Sequence, residues 1–328
     1  MIAAAVLLVL GAGVLVAAAG PTGLGEDGPP GAGAAVIGAS VTGVFPALSP
    51  IGAIAAMGDG IRDSGAGVYP SLTATGRLAV PDQRSVRRAR RWLARRRGRT
   101  SFAVLDEHGA LRGFRIHARF PCASLTKAMV LVAFLRLLDR RDREPSDAEL
   151  LSLGYMIRLS DNPSAPLLYR RVGDTRMRAL ARRAGMREFR ISRRWGNATA
   201  SAADQARLFL HLDRLVPSRF LPLARTLLET VTPAHSWGIP AAARPRWRTF
   251  FKGGWRPEDG AEVVNQAALL ESGNRRLSLA VMTRDDPTMA YGQETIEGTA
   301  RRLLAGSNSS LSTMPDSGPS GKPGRTGK

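Results

Sequence analysis

Ser124 and Lys127 place a hydroxyl and an amine three residues apart, at the start of an apolar run that ends at Leu138. Residues i and i+3 share a helix face, so both groups would point into the same space. The run is apolar nearly all round, which is typical of a buried helix. A serine needs an adjacent base to act as a nucleophile, and burial lowers the pKa of a lysine towards the neutral form. The alternative is structural, because serine is also a common helix N-cap.

Two further polar stretches stand downstream, where apolar elements converge. Ser160-Asp161-Asn162 follows a predicted helix, and Lys252-Gly253-Gly254 lies within a predicted strand. They would add a second hydroxyl, an amide and a second amine to the first pair if the fold brings the three stretches together. The alternatives are turn chemistry at Asn162-Pro163 and an edge-strand charge at Lys252.

The elements that must position these groups are segregated along the chain. Alternating residues predict a hairpin of two strands over 101–120, and helices follow over 150–230, interrupted by an irregular stretch at 186–200. Three strands over 248–283 and a closing helix over 295–304 complete the pattern. Such segregation predicts an α+β fold, in which a five-stranded antiparallel sheet with flanking helices is joined to an all-helical lobe.

Composition divides the chain into four parts. Residues 1–20 are uncharged and apolar, which predicts a signal peptide or N-terminal membrane anchor and hence a secreted or membrane-anchored, extracytoplasmic protein. Residues 21–84 are rich in Gly, Ala and Pro and predict a flexible linker. The folded domain is expected over 85–306, and the composition of 307–328 predicts a disordered tail.

The net charge of +20 in 328 residues is carried almost wholly by arginine. The segment Arg84–Arg99 predicts a basic helix with an apolar stripe. Its arginines could contact an anionic component of the cell envelope, or they could solvate the first helix of the domain. Nucleic acid is the least favoured partner, and a monomer is expected.

Metal and disulfide chemistry are not expected from this sequence. Cys122 is the single cysteine, which excludes an intramolecular disulfide and the usual cysteine-based zinc sites. The four histidines include no ligand pair at metal spacing. The sequence therefore predicts no metal and no other cofactor.

The three motifs, in this order and on these elements, resemble those of class A β-lactamases and penicillin-binding proteins, which carry Ser-x-x-Lys, Ser-Asp-Asn and Lys-Thr-Gly. The resemblance covers roughly residues 86–305. It implies that Ser124 is an acylated nucleophile, that Lys127 is its base and that Ser160 relays a proton to the leaving nitrogen. It also implies a substrate-binding set formed by Asn162, Lys252, Gly254 and Trp255.

The same resemblance gives each member of that set a role. Asn162 would hold an amide side chain of the substrate, and Lys252 would pair with the carboxylate of a β-lactam or a peptidoglycan-type peptide. Backbone N–H groups of Ser124 and Trp255 would form the oxyanion hole. Asp161 would hold its own loop rather than contact the substrate.

Three positions depart from the family pattern. Gly196 stands where class A enzymes carry the glutamate that releases the acyl group, Gly253 replaces a threonine, and Trp255 replaces a small residue. Glu188 lies too early in the chain to take the place of that glutamate. The sequence therefore predicts a serine hydrolase whose acyl-enzyme hydrolyses slowly. The alternative is a weakly active or inactive cell-envelope module of the same fold that binds peptidoglycan fragments.

Overall fold

The structure, a computed structural model, describes residues 81–305. The predicted segment 1–20, residues 21–80 of the predicted linker and the predicted tail 307–328 lie outside the described residues. Within 81–305, every helix is too short or too polar to span a bilayer.

The strands and helices follow the predicted order. The strands are β1 Arg99–Asp106, β2 Leu111–Phe114, β3 Arg119–Pro121, β4 Arg190–Ser192, β5 Arg194–Ser201, β6 Arg248–Glu258, β7 Ala261–Ser272 and β8 Arg275–Asp286. The α-helices are α1 Gln83–Leu93, α2 Thr126–Asp139, α3 Asp147–Arg158, α4 Ser164–Ala184, α5 Ala202–Leu210, α6 Leu212–Leu215, α7 Leu221–Glu229, α8 Ile239–Ala243 and α9 Met289–Leu304.

The central sheet has five antiparallel strands in the spatial order β2-β1-β8-β7-β6. The first strand of the domain therefore pairs with the last, and Phe102 lies opposite Val281. This sheet and the helices around it confirm the predicted α+β fold. The sheet combines strands from the beginning and the end of the domain. Most of the helices lie between these two groups of strands in the sequence.

Helices cover both faces of the sheet. Ser278 donates a hydrogen bond to the carbonyl of Ala206 in α5 and pairs across the sheet with Leu269. Val264 of β7 lies beside Gly292 of α9. Because side chains alternate along a strand, Val264 and Leu269 point to opposite faces. α5 and α9 therefore pack on opposite sides of the same strands.

The helix that begins beside Ser124 runs through the core. α2 is apolar nearly all round, and all of its residues from Thr126 to Leu135 are buried. A helix that buries every face must be surrounded by other elements. The all-helical lobe supplies part of that surrounding, because α3 and α4 pack against α2.

Two stretches differ from their predicted structure. The predicted second strand over 111–120 is broken, because β2 ends at Phe114 and Arg115 takes a left-handed φ of 48°. The irregular stretch predicted over 186–200 instead holds β4 and β5, which form a small sheet with β3 in the order β3-β5-β4. That sheet pairs Phe120 with Ala200, a contact between distant segments that local periodicity does not reveal.

Candidate active site

Ser124 lies in a short 3-10 turn, Ala123–Leu125, between β3 and α2. Ala123 takes a left-handed φ of 46°, a conformation that costs energy for a residue other than glycine and that clusters at functional sites. The α-helix begins at Thr126 and has Leu125 at its N-cap position. Ser124 therefore does not cap α2, and the N-cap interpretation of this serine is wrong.

Lys127 is fully buried one turn into α2. It is held by the loop that carries Ser160, Asp161 and Asn162, which we call the Ser160 loop. Its Nζ donates to the carbonyl oxygen of Ser160 at 2.5 Å and to Oδ1 of Asn162 at 2.9 Å. Nζ also lies 4.9 Å from the ring centroid of Trp195. Burial lowers the pKa of Lys127 to about 8, against an opposing effect of the Asp161 carboxylate. A substantial neutral fraction near neutral pH is what a proton acceptor requires.

Ser160 lies between the two lysines and takes a left-handed φ of 57°. Its Oγ accepts a hydrogen bond of 2.9 Å from Nζ of Lys252, which also donates to its neighbour's carbonyl. Burial, and after it the charge of Lys127, holds the pKa of Lys252 well below its usual value. Asp161 accepts from the N–H and Oγ of Ser164, at 2.8 and 2.5 Å, which closes the loop.

β6 approaches the Ser124 turn so closely that residue 254 must be glycine. A Cβ at Gly254 would lie 2.4 Å from the backbone N of Leu125 and 3.0 Å from that of Ser124. Gly253 faces the other way, and a Cβ there would lie 3.3 Å from the ring of Trp237. The sequence departs from Lys-Thr-Gly at a position where an indole ring occupies the adjacent space.

The Ser124 turn, the Ser160 loop, β5 and β6 enclose a cavity of about 220 Å³. It is lined by Ala123, Ser124, Ser160, Asn162, Trp195, Gly196, Trp255 and Arg256. Lys127 and Lys252 lie behind this lining, fully or almost fully buried. The fold thus brings the three motifs together around one cavity.

Comparisons with known proteins agree with this arrangement. A sequence model of the β-lactamase enzyme family matches residues 143–305, a span that includes Ser160, Asn162 and Lys252 and begins after Ser124. A β-lactamase from Sphaerobacter thermophilus has a similar structure, with a TM-score of 0.59, 20% sequence identity and coverage of 68% of this chain and 96% of that one. No curated protein matches the chain by sequence.

Two further solved structures extend the likeness. A class A β-lactamase from Bacteroides cellulosilyticus has a TM-score of 0.62, 15% identity and coverage of 69% of this chain and 98% of that one. PBP-A has a TM-score of 0.59, 19% identity and coverage of 70% and 98%. The chain has the serine β-lactamase-like fold. The resemblance inferred from the motifs is confirmed at the level of the fold.

No Asp or Glu belongs to the described residues that line the cavity of this β-lactamase-like domain. Glu188 accepts a hydrogen bond from Ser201 and pairs with His117, outside the cavity lining. Gly196 is part of the lining, and a Cβ built there meets no atom within 4 Å. The position that would carry the class A glutamate is therefore open space at the edge of the cavity.

The motifs did not reveal three residues of this neighbourhood. Arg256 lines the cavity, donates to the carbonyl of Gly196 at 3.2 Å and bonds Glu258 at 2.5 Å. The strand period offered a signal for it, because residues 252, 254 and 256 share a face. His235 and Trp237 pack on Trp255, with ring centroids 4.8 and 5.9 Å away, and their loop carries no such signal.

Proposed function

We propose that this chain is an exported serine hydrolase of the β-lactamase and penicillin-binding type, which acts through an acyl-enzyme on Ser124. The observation that carries the proposal is Lys127: it is fully buried one turn after Ser124, has a pKa of about 8 and is hydrogen-bonded into the Ser160 loop. A fixed amine that is partly neutral at neutral pH suits a base for a serine hydroxyl.

The proposed reaction begins with attack of Ser124 Oγ on the carbonyl carbon of the substrate. The hydroxyl proton passes to neutral Lys127, and the carbonyl oxygen becomes an oxyanion that accepts from the N–H groups of Ser124 and Trp255. The C–N bond then breaks, Ser160 Oγ delivers its hydroxyl proton to the leaving nitrogen, and the proton held by Lys127 passes to Ser160 in its place. The product is an ester on Ser124, and no proton is gained or lost overall.

The substrate class follows from the cations and the amide at the cavity. Lys252 retains its charge better once Lys127 is neutral, because the charge of Lys127 is one cause of its lowered pKa. A charged Lys252 would pair with the carboxylate of a β-lactam or of a peptidoglycan-type peptide, while Asn162 would hold the acyl amide. We expect such a substrate in the cell envelope, which residues 1–20 would lead the chain to and which Arg84–Arg99 could contact.

Release of the acyl group is proposed to be slow. An ester hydrolyses rapidly when a base activates a water beside it, and the described lining of the cavity carries no carboxylate. The protein would then accumulate as its acyl-enzyme. This outcome is typical of penicillin-binding behaviour rather than of an efficient β-lactamase.

Intact-protein mass spectrometry after incubation with a penicillin tests the proposal. The expected result is a mass increase equal to one penicillin that persists after the free drug is removed and that is absent from the Ser124→Ala variant. An unshifted mass, under conditions that label a penicillin-binding control protein, would refute acylation.

A binding module of the same fold is the second candidate. It is favoured by the two indole rings of Trp195 and Trp255, which line the cavity and leave about 220 Å³. A module that only binds would retain its affinity for a peptidoglycan fragment in Ser124→Ala and would gain no covalent mass from any β-lactam. Hydrolysis of such a fragment that disappears in Ser124→Ala would exclude it.

A further inference from the structure

Three adjoining cavities away from Ser124 share their lining residues. Arg136 and Arg183 line both the first, of about 30 Å³, and the second, of about 260 Å³. Arg183, His211 and Arg214 line both the second and the third, of about 600 Å³. The three cavities therefore adjoin one another, and we name the concave surface that they form the arginine groove.

The arginine groove is strongly cationic. Its arginines are Arg136, Arg140, Arg176, Arg182, Arg183, Arg187, Arg207 and Arg214. Among the described residues that line it, Glu107 is the one acid, and this carboxylate already contacts Arg275 at 3.6 Å. The charge of the groove is thus not neutralised by its own walls.

In the part of the chain that the structure describes, three arginines of the groove lack a side-chain partner, as do several exposed arginines of α1. Across 81–305, Arg140, Arg183 and Arg214 have no side-chain ion pair or hydrogen bond, and all three are exposed. Arg219, in contrast, pairs with Asp139 and Asp142 at 3.1 and 2.9 Å. Acids are scarce near the groove arginines: among the described residues, Glu107 lines the groove and Asp204 contacts Arg207 at 3.8 Å.

Mutual repulsion acts within the groove. Burial, and after it the charges of Arg183 and Arg140, lowers the pKa of Arg136. The ring of His211 likewise has a lowered pKa, caused by burial and then by the charges of nearby arginines. An anion in the groove would relieve this repulsion, so the site gains more from a multiply charged ligand than an isolated arginine would.

We propose that the arginine groove binds a linear chain of directly joined phosphate groups, that is, an inorganic polyphosphate. Guanidinium groups match phosphate oxygens in pairs, and a long concave run of them suits an extended polymer. The described lining holds no Phe, Tyr or Trp on which a nucleic-acid base could stack. The shape is a depression rather than a flat face, which disfavours a bilayer surface.

The groove lies well away from the candidate active site. Arg136 follows Lys127 by nine residues on α2, which at 1.5 Å per residue is about 14 Å along the helix. Binding at the groove would therefore leave the cavity at Ser124 open. The inference is independent of the chemistry at Ser124 and would stand if acylation were refuted.

Fluorescence anisotropy with labelled long-chain inorganic polyphosphate and the full chain tests the inference. The groove variant Arg140→Ala/Arg183→Ala/Arg214→Ala should weaken binding at least tenfold and reduce the slope of log Kd against log salt by about 2. The matched control Arg84→Ala/Arg87→Ala/Arg91→Ala removes the same charge from exposed positions of α1 and should weaken binding less than threefold. Circular dichroism melting confirms that both variants are folded.

Conservative replacement supplies a further arm of this experiment. Arg140→Lys/Arg183→Lys/Arg214→Lys keeps the charge but loses the paired guanidinium–phosphate contacts, so its affinity should lie between those of the parent chain and the alanine variant. Equal losses in the groove and control variants would overturn the inference, because they would show a response to net charge alone. Groove-dependent binding that is tighter for oligo-dT or for phosphatidylglycerol vesicles than for polyphosphate would also overturn it, in favour of nucleic acid or membrane.

Discussion

The candidate active site buries its cations, whereas the arginine groove exposes them. Lys127 and Lys252 are almost completely inaccessible, and their amines are fixed by hydrogen bonds to the Ser160 loop and nearby backbone. The guanidinium groups of Arg140, Arg183 and Arg214 are exposed and lack such partners within 81–305. The same positive charge is thus placed in opposite environments by one domain.

The choice of residue follows from the environment. An ammonium group loses its proton when burial lowers its pKa far enough, so a buried lysine can act as a base. A guanidinium group keeps its charge at any physiological pH, so arginine suits a surface that only attracts anions. Chemistry at the active site should therefore depend on the position of Ser124 and on the protonation state of Lys127. Binding at the groove should depend on where the permanent charges are placed and not on a titrating proton.

The largest expected effect tests whether acylation depends on the position of Ser124. Gly254→Ala places a methyl group 2.4 Å from the backbone N of Leu125, so the Ser124 turn must move, and misplacement by about 1 Å costs on the order of 100-fold in rate. The second-order rate of acylation by a fluorescent penicillin should fall by that factor. Gly253→Ala, whose methyl group would meet only the edge of Trp237 and Trp255, is the matched control and should lose little.

Polyphosphate binding shows whether slow acylation of Gly254→Ala comes from displacement of Ser124 or from unfolding of the domain. Gly254→Ala should bind polyphosphate as the parent chain does, because the arginine groove is remote from residue 254. Equal acylation rates in the two alanine variants would show that the close approach of β6 does not position Ser124.

The second largest expected effect tests whether acylation depends on the protonation state of Lys127. Lys127 can accept a proton only when neutral, and its pKa is about 8, so the acylation rate should rise about tenfold per pH unit below pH 8 and level off above it. Polyphosphate binding should change little over the same range, because the arginines that carry the charge of the groove remain charged. An acylation rate that is flat from pH 6 to 9 would contradict Lys127 as the base.

The smallest expected effect concerns the missing carboxylate. Gly196→Glu adds a side chain at a position where a Cβ meets nothing within 4 Å, at the edge of the cavity that holds Ser124. The lifetime of the acyl-enzyme should shorten by about fivefold, well below the roughly 10²- to 10⁴-fold effect of an evolved general base, because Arg256 is positioned to pair with the new carboxylate. Gly196→Gln is the isosteric control, and decay of the adduct should be unchanged in it.

The resemblance of the three motifs to those of class A β-lactamases and penicillin-binding proteins predicted which side chains meet in the candidate site. Local patterns predicted the elements that carry Ser124, Lys127, Ser160, Asn162 and Lys252. The five strands of the sheet were likewise predicted from the sequence. These elements depend on local periodicity.

Other features could not be predicted from the sequence, because they depend on contacts between distant parts of the folded chain. The pairing of Phe120 with Ala200 joins segments far apart in sequence, and no local pattern specifies it. The arginine groove draws its arginines from α2, α4, the segment after α4, α5 and α6. The sequence therefore reveals the positive charge but not that the fold gathers it on one surface. The ring of Trp237 fills the space next to residue 253, where the sequence has glycine. This contact joins two elements and so could not be predicted from the local sequence.

The pairing of β1 with β8 has a consequence for how the domain is made. β1 lies between β2 and β8 in the sheet, so its hydrogen bonds on one side cannot form until β8, the last strand of the described residues, is synthesised. Long-range pairing of this kind slows folding. Until β8 emerges, one edge of β1 is open to pairing with another chain. The nascent domain is therefore most prone to aggregate in that interval.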